Sequence, residues 1–184
     1  MLILHEREKL IQIIIFLAKN TLYCGKTKLF KLLYFLDFEH YMQTGRSVTG
    51  LEYSAWKMGP VPTALADEIE SPEPDMAEAL MFAEVPTNYG RPMLSIKPIK
   101  DFNDELFSKR EKKLLEMLEQ EYKNSKAEDM IEATHLENMP WDRVYNQEHS
   151  PMGLIPYAYA LKANESEEML KIIDERKEMI KAIG

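Results

Sequence analysis

Two neighbouring segments of the chain are apolar on nearly every side, and that limits the fold more than any other feature. From about His5 to Leu22, residues Leu10, Ile11, Ile14, Leu17 and Ala18 recur at helical spacing. Ile13, Ile15 and Phe16 widen that stripe until it almost encircles the axis. The isoleucine run would also suit a strand, but its length and the charged turn ahead of it (Glu6, Arg7, Glu8, Lys9) favour a helix. After a break at Tyr23, Cys24 and Gly25, the stretch TKLFKLLYFLDFEHYM predicts a second helix from Thr27 to Met42. Leu29, Leu32, Leu33, Leu36 and His40 share one face, and Phe30, Tyr34, Asp37 and Tyr41 share the next, which leaves Lys28, Lys31 and Glu39 for solvent. A helix with so little polar surface has to be enclosed by other elements. The second helix is therefore expected at the centre of the fold.

The elements after Met42 are shorter. QTGRSVTG is a loop by composition, and Leu51, Tyr53 and Ala55 alternate with Glu52, Ser54 and Trp56 in a short extended segment. AWKMGPVPTAL then makes a stiff corner. Gly59 and Val61 each precede a proline and are pushed out of helical geometry, while Pro62 is placed to open a short helix reaching about Glu70. An acidic exposed loop at SPEPD follows, then a hairpin of ALMFAEVP and PMLSIKPI around TNYGR, with Pro98 marking a sheet edge. A helix is expected from Asp101 to Tyr122 and another capped by Ser125. Pro140 and Trp141 interrupt the pattern, and a short helix restarts near Pro156. Glu165 to Ile183 read as an amphipathic helix with Met169, Ile172, Ile173, Ile180 and Ile183 on its apolar side and Asn164 and Glu167 at capping-box spacing. The predicted fold class is mainly α with a small antiparallel β hairpin or sheet (α+β). It is expected as a compact helical domain over residues 1–162, with a C-terminal amphipathic helix over 163–184 packed on the same domain.

Composition narrows the partners. Hydrophobic residues make up 45% and charged residues 29% of the 184, ordinary globular usage that is sufficient for a core. The net charge is -8, and residues 61–105 hold 10 Asp and Glu against 3 Lys and Arg. Phosphate backbones bind clustered basic faces, so nucleic acid is not the expected partner. The single cysteine, Cys24, makes no internal disulfide, which fits a reducing compartment. MLILHEREKL lacks the apolar run of a signal peptide, and LIQIIIFLA is too short to span a bilayer. A cytoplasmic protein with no membrane partner is the expectation.

Residues able to carry chemistry are few. Asp37, Glu39 and His40 stand together in DFEH, yet a metal site would need further ligands, and no His or Cys pair supplies them. The plainer reading of His40 is a histidine hydrogen-bonded under the core surface. His135 ends a helix and reads as a helix stop packed against Trp141, or else as a general base or partner contact. Cys24 has no base nearby in sequence. The lysines of GKTKLFK could meet phosphate, or form the charged rim of a buried helix. No catalytic grouping and no cofactor are expected.

The ordered series from Thr27 to Ile69 resembles the Panacea domain, the family of SocA-like antitoxins and phage-associated proteins. The matching residues are Lys31, Leu32, Leu33 and Tyr34; Thr49 and Gly50; and Tyr53, Trp56, Gly59, Pro60 and Val61. A later His…Pro-Trp element, His135, Pro140 and Trp141, is similar too, so that the resemblance runs from about Ile11 to Leu161. It implies an antitoxin of a toxin–antitoxin system that neutralises a cognate toxin by direct protein binding and is not an enzyme. An adaptor delivering the toxin to a protease is the alternative, and a DNA-binding regulator is disfavoured by the acidic balance. The resemblance leaves two roles open for the motif residues. Trp56 is either an interface anchor on a rigid turn, or it joins Val61 in pinning the extended segment to the central helix.

Overall fold

The computed structural model describes residues 5–87, 90, 92–136 and 139–183. The two apolar segments are helices, α1 (Glu6–Asn20) and α2 (Lys26–Thr44), and α2 is the axle of the molecule. The chain then forms β1 (Ser54–Trp56), β2 (Gly59–Val61), α3 (Thr63–Glu70), α4 (Pro74–Ala79), β3 (Leu80–Val85) and β4 (Met93–Pro98). Next come α5 (Lys109–Tyr122), α6 (Ala127–Thr134), the single turn α7 (Pro140–Asp142) and a π-helical turn at Arg143–Gln147. A 3-10 turn at Tyr157–Ala160 leads into α8 (Ala163–Ile183). The fold is mainly α with two small antiparallel two-stranded sheets, β1–β2 and β3–β4.

Helix α2 touches α1, α5, α6, β2, β4 and the 3-10 turn, which explains why it is apolar all round. Leu29, Leu32, Leu33 and Leu36 are wholly enclosed, as are Ile13, Ile14, Ile15 and Leu17 of α1. Each such side chain contributes about 1.5–3 kcal/mol of burial. The outer helices are tied to this pair by charge. The Arg7 guanidinium donates to both Glu68 of α3 and Asp75 of α4, and Lys9 donates to Glu111 of α5 at 2.7 Å.

Several sequence expectations need correction. Lys28 and Lys31 do not face solvent; both are fully buried, because their ammonium groups reach backbone carbonyls of neighbouring elements. The corner is itself a hairpin, with Trp56 paired to Gly59 and Ser54 to Val61. Residues 153–155 lie along the other side of β1, through Ala55 N–H to Gly153 O and Ile155 N–H to Tyr53 O. SPEPD is not all loop, since Pro74 opens α4 at a position where its missing N–H costs nothing. Helix α6 starts one residue later than a Ser125 cap implies, with Asp129 accepting from the Lys126 N–H. In α8, Asn164 lies inside the helix rather than at its cap. The Ile180 and Ile183 side chains, and most of the TNYGR hairpin loop, lie outside the described residues.

Helix α5 begins at Lys109, eight residues after the expected Asp101. Ser108 accepts from the Glu111 N–H while the Glu111 carboxylate accepts from the Ser108 N–H, a complete capping box. That same carboxylate receives Lys9, and its pKa is lowered: the Lys9 and Ser108 contacts outweigh the largest single influence, burial, which acts the other way. Ser108→Ala is expected to cost about 1 kcal/mol of stability, read as a lowered urea midpoint with an unchanged slope.

Candidate functional site

Lys31, Trp56, Gly59, Pro60, His135 and Trp141 converge on one internal joint, where the β1–β2 hairpin is seated on α2. Lys31 projects from α2 beneath the hairpin, and its Nζ donates to Pro60 O at 2.8 Å. Gly59 makes this approach possible. Its φ is +100°, a backbone state that side chains disfavour, and a Cβ there would lie 2.7 Å from both Lys31 Cε and Thr134 Oγ1. From the other side, Trp141 Nε1 donates to the carbonyl of Trp56 at 2.9 Å. The Trp141 ring is sandwiched between His135, at 3.8 Å and 7° to it, and Tyr145 at 4.8 Å. Pro140 opens α7 and sets the direction of that indole. Leu32, Leu33 and Val61 are core residues, and Trp56 is 40% exposed, held through its carbonyl rather than its ring.

The electrostatics of the joint are unusual. Burial pushes the Lys31 amine down to about 7, and no carboxylate pairs with it among the described residues. His135 is likewise less basic than usual, first through burial and then through the Lys31 charge. Among the described residues, two buried polar atoms here lack a hydrogen-bond partner, His135 Nε2 and Tyr34 Oη. Burial raises the Tyr34 phenol.

A second cluster fixes the loop after α2. The buried Asp37 carboxylate accepts from the Val48 and Thr49 N–H groups at 2.8 and 2.9 Å, from the Thr49 hydroxyl, and from the Tyr53 hydroxyl at 2.7 Å. Burial raises its pKa and these four donors work against the rise. DFEH does not act as a unit. His40 instead bonds Arg46 O through Nδ1 at 2.7 Å, and Glu39 accepts from Gln43 at the surface. Among the described residues, no three side chains of His, Cys, Asp or Glu gather as metal ligands. Burial raises the Cys24 thiol, which keeps it a poor nucleophile.

Sequence reasoning missed Lys28, whose Nζ donates to the carbonyls of Leu22, Tyr122, Lys123 and Ser125 at 2.6–3.3 Å. It also missed Thr134, against which Gly59 rests. A cleft of about 950 Å³ opens beside the joint, between Phe35, Phe38 and Met42 of α2, Met139, and Met169 and Ile172 of α8.

A family model described as "Antitoxin SocA-like, Panacea domain" matches residues 29–142. The chain belongs to the Panacea domain family. Every motif residue of the joint, from Lys31 to Trp141, falls inside the matched span of the Panacea domain, whereas α1 and α8 fall outside it. No curated protein and no solved structure matches the chain. No described helix of this Panacea protein is long and apolar enough to cross a membrane.

Proposed function

We propose that this Panacea protein is an antitoxin that silences a cognate toxin by binding it directly, with no cofactor and no reaction of its own. Family membership carries the reading. The geometry agrees with it, because several side chains able to carry chemistry are used to hold the scaffold together: Lys31 on the Pro60 carbonyl, Trp141 on the Trp56 carbonyl, and Asp37 on Thr49 and Tyr53. On this reading the motif builds a scaffold of residues 1–162 with α8 as its outer helix. The toxin meets surface that the motif leaves free, such as the half-exposed Trp56 and Met58 at the hairpin tip or the methionine-lined cleft. Methionine walls adapt to partners of different shape.

Co-expression tests the proposal. The product of the neighbouring gene is expected to arrest growth alone and to become harmless when this protein is present. A neighbour that is harmless alone, or still lethal with this protein, rejects the reading. Toxin half-life then separates blockade, which leaves it unchanged, from delivery to a protease, which shortens it. Charge substitutions at Met58 and at Met42 are expected to differ in effect, and the one that restores toxicity marks the binding face.

A further inference from the structure

The seat of the hairpin is closed by a base with almost nothing to balance its charge. Lys31 is 1% exposed, donates to a single carbonyl, and has no ion-pair partner among the described residues. A buried ammonium in that position would carry uncompensated charge and two N–H groups lacking acceptors, whereas a neutral amine keeps the bond to Pro60 O, sheds the charge and leaves one N–H lacking an acceptor instead of two. His135 stands beside it, with its buried Nε2 also unpartnered and its ring fixed on Trp141.

The other titratable groups on the surrounding elements bond to partners outside the seat, although the Asp142 charge acts on His135 and partly offsets the fall in its basicity. Lys28, two residues past the start of α2, is held by four carbonyls. Asp129 of α6 accepts from the Lys126 N–H, and Asp142 of α7 accepts from Asn146 and Gln147. Strands β1 and β2 bring no ionisable side chain, and the Tyr34 hydroxyl is kept neutral by burial.

We propose that the joint is a proton-operated latch: taking up protons at Lys31 and His135 unseats Gly59–Pro60 from α2 and frees the hairpin tip that carries Trp56 and Met58. Above about pH 7 both bases of the closed latch are mainly neutral. Once the hairpin lifts, Lys31 reaches water and regains its ordinary basicity. The open state therefore binds the proton more tightly, and closure strengthens as pH rises. For Lys31 the window runs from about 7, its value in the closed joint, to the ordinary 10.5. Within it one linked proton changes the closed-to-open ratio roughly tenfold per pH unit. His135 acts with the same sign at lower pH, because its basicity is also depressed in the closed joint.

Amide hydrogen exchange tests the latch, with the β3–β4 hairpin as internal reference. Protection of the Ser54–Val61 amides relative to Leu80–Val85 is expected to rise with pH by roughly tenfold per unit above about pH 7. In Lys31→Met the same ratio should stay flat. A wild-type ratio that ignores pH, or an equal slope in the variant, overturns the proposal. Lysine 13Cε resonances of the wild-type protein give a test that does not depend on the variant folding. One lysine is expected to titrate near neutrality, and a set that all titrates near the ordinary lysine value overturns the latch. Neither readout needs a toxin, so this result and the co-expression result stand independently.

Discussion

Asp37→Ala is expected to lower the unfolding free energy by about 3–5 kcal/mol, a large share of the roughly 5–15 kcal/mol typical of a domain. Among the described residues the carboxylate has no charged partner, and its worth lies in the four donors it gathers: the N–H groups of Val48 and Thr49 and the hydroxyls of Thr49 and Tyr53. Alanine would leave all of them facing a dry void at the base of α2. The companion variants separate this account from simple cavity formation. Tyr53→Phe removes one donor and leaves the others satisfied, for about 1 kcal/mol. Asp37→Asn keeps one acceptor oxygen and turns an amide NH2 toward the remaining donors, so it should fall between the two. Denaturant midpoints at constant slope read the series. An alanine variant within about 1 kcal/mol of wild type, no more than one ordinary hydrogen bond, contradicts the clamp.

Gly59→Ala comes next in size, at about 2–5 kcal/mol. Two costs combine. An L side chain at φ +100° is strained by roughly 1–2 kcal/mol, and the added methyl would overlap Lys31 Cε and Thr134 Oγ1, each 2.7 Å away. Overpacking of that kind costs about 1–3 kcal/mol. Lysine tips usually swing aside, but this one is enclosed and tied to Pro60 O, so relief would have to break the bond that seats the hairpin. Gly90 is the control. It too has a positive φ, of +77°, but a Cβ added there would meet nothing within 4 Å, so its alanine variant should show the strain alone. Equal losses at the two sites would mean that the contact with Lys31 contributes nothing.

The parts of this molecule that are legible in the sequence are those governed by periodicity. The encircling apolar pattern of Leu29 to Phe38 announces a central helix, and α2 is that helix. The β3–β4 hairpin is visible in its alternation, and the prolines at positions 60 and 62 show a corner. The start of α5 is legible too but is masked. Ser108 and Glu111 stand at capping-box spacing, while Phe102, Leu106 and Phe107 ahead of them mimic a helical stripe. Phe102 packs on Phe16 and Phe107 from an extended segment instead.

What is not legible is the polar interior. Sequence alone places Lys28 and Lys31 in solvent because charged side chains are almost never fully buried unless paired. Their partners are main-chain oxygens, which every residue type carries and which therefore leave no mark in a sequence. The same holds for Trp141, whose acceptor is the Trp56 carbonyl. Several positions named by the resemblance meet at the joint, but the sequence does not reveal that they face one another. Asp37 stands out for its neighbours in DFEH, whereas its true partners lie 11 to 16 residues onward, in the segment between α2 and β1 that folds back over it.

The four carbonyls around Lys28 come from Leu22, between α1 and α2, and from Tyr122, Lys123 and Ser125 at the end of α5. That is the coordination a monovalent metal ion would receive, supplied here by an ammonium on a tether. The recognition is blind to side-chain identity on the accepting side. The bond itself asks nothing of the side chains at positions 122, 123 and 125 so long as the main chain keeps its path, although Tyr122 is separately held by stacking on Phe35, while the lysine itself has no substitute of the same reach and charge geometry. Two segments far apart in the chain are thus locked together by a contact in which only one partner is under constraint, and a search for paired substitutions would pass over it.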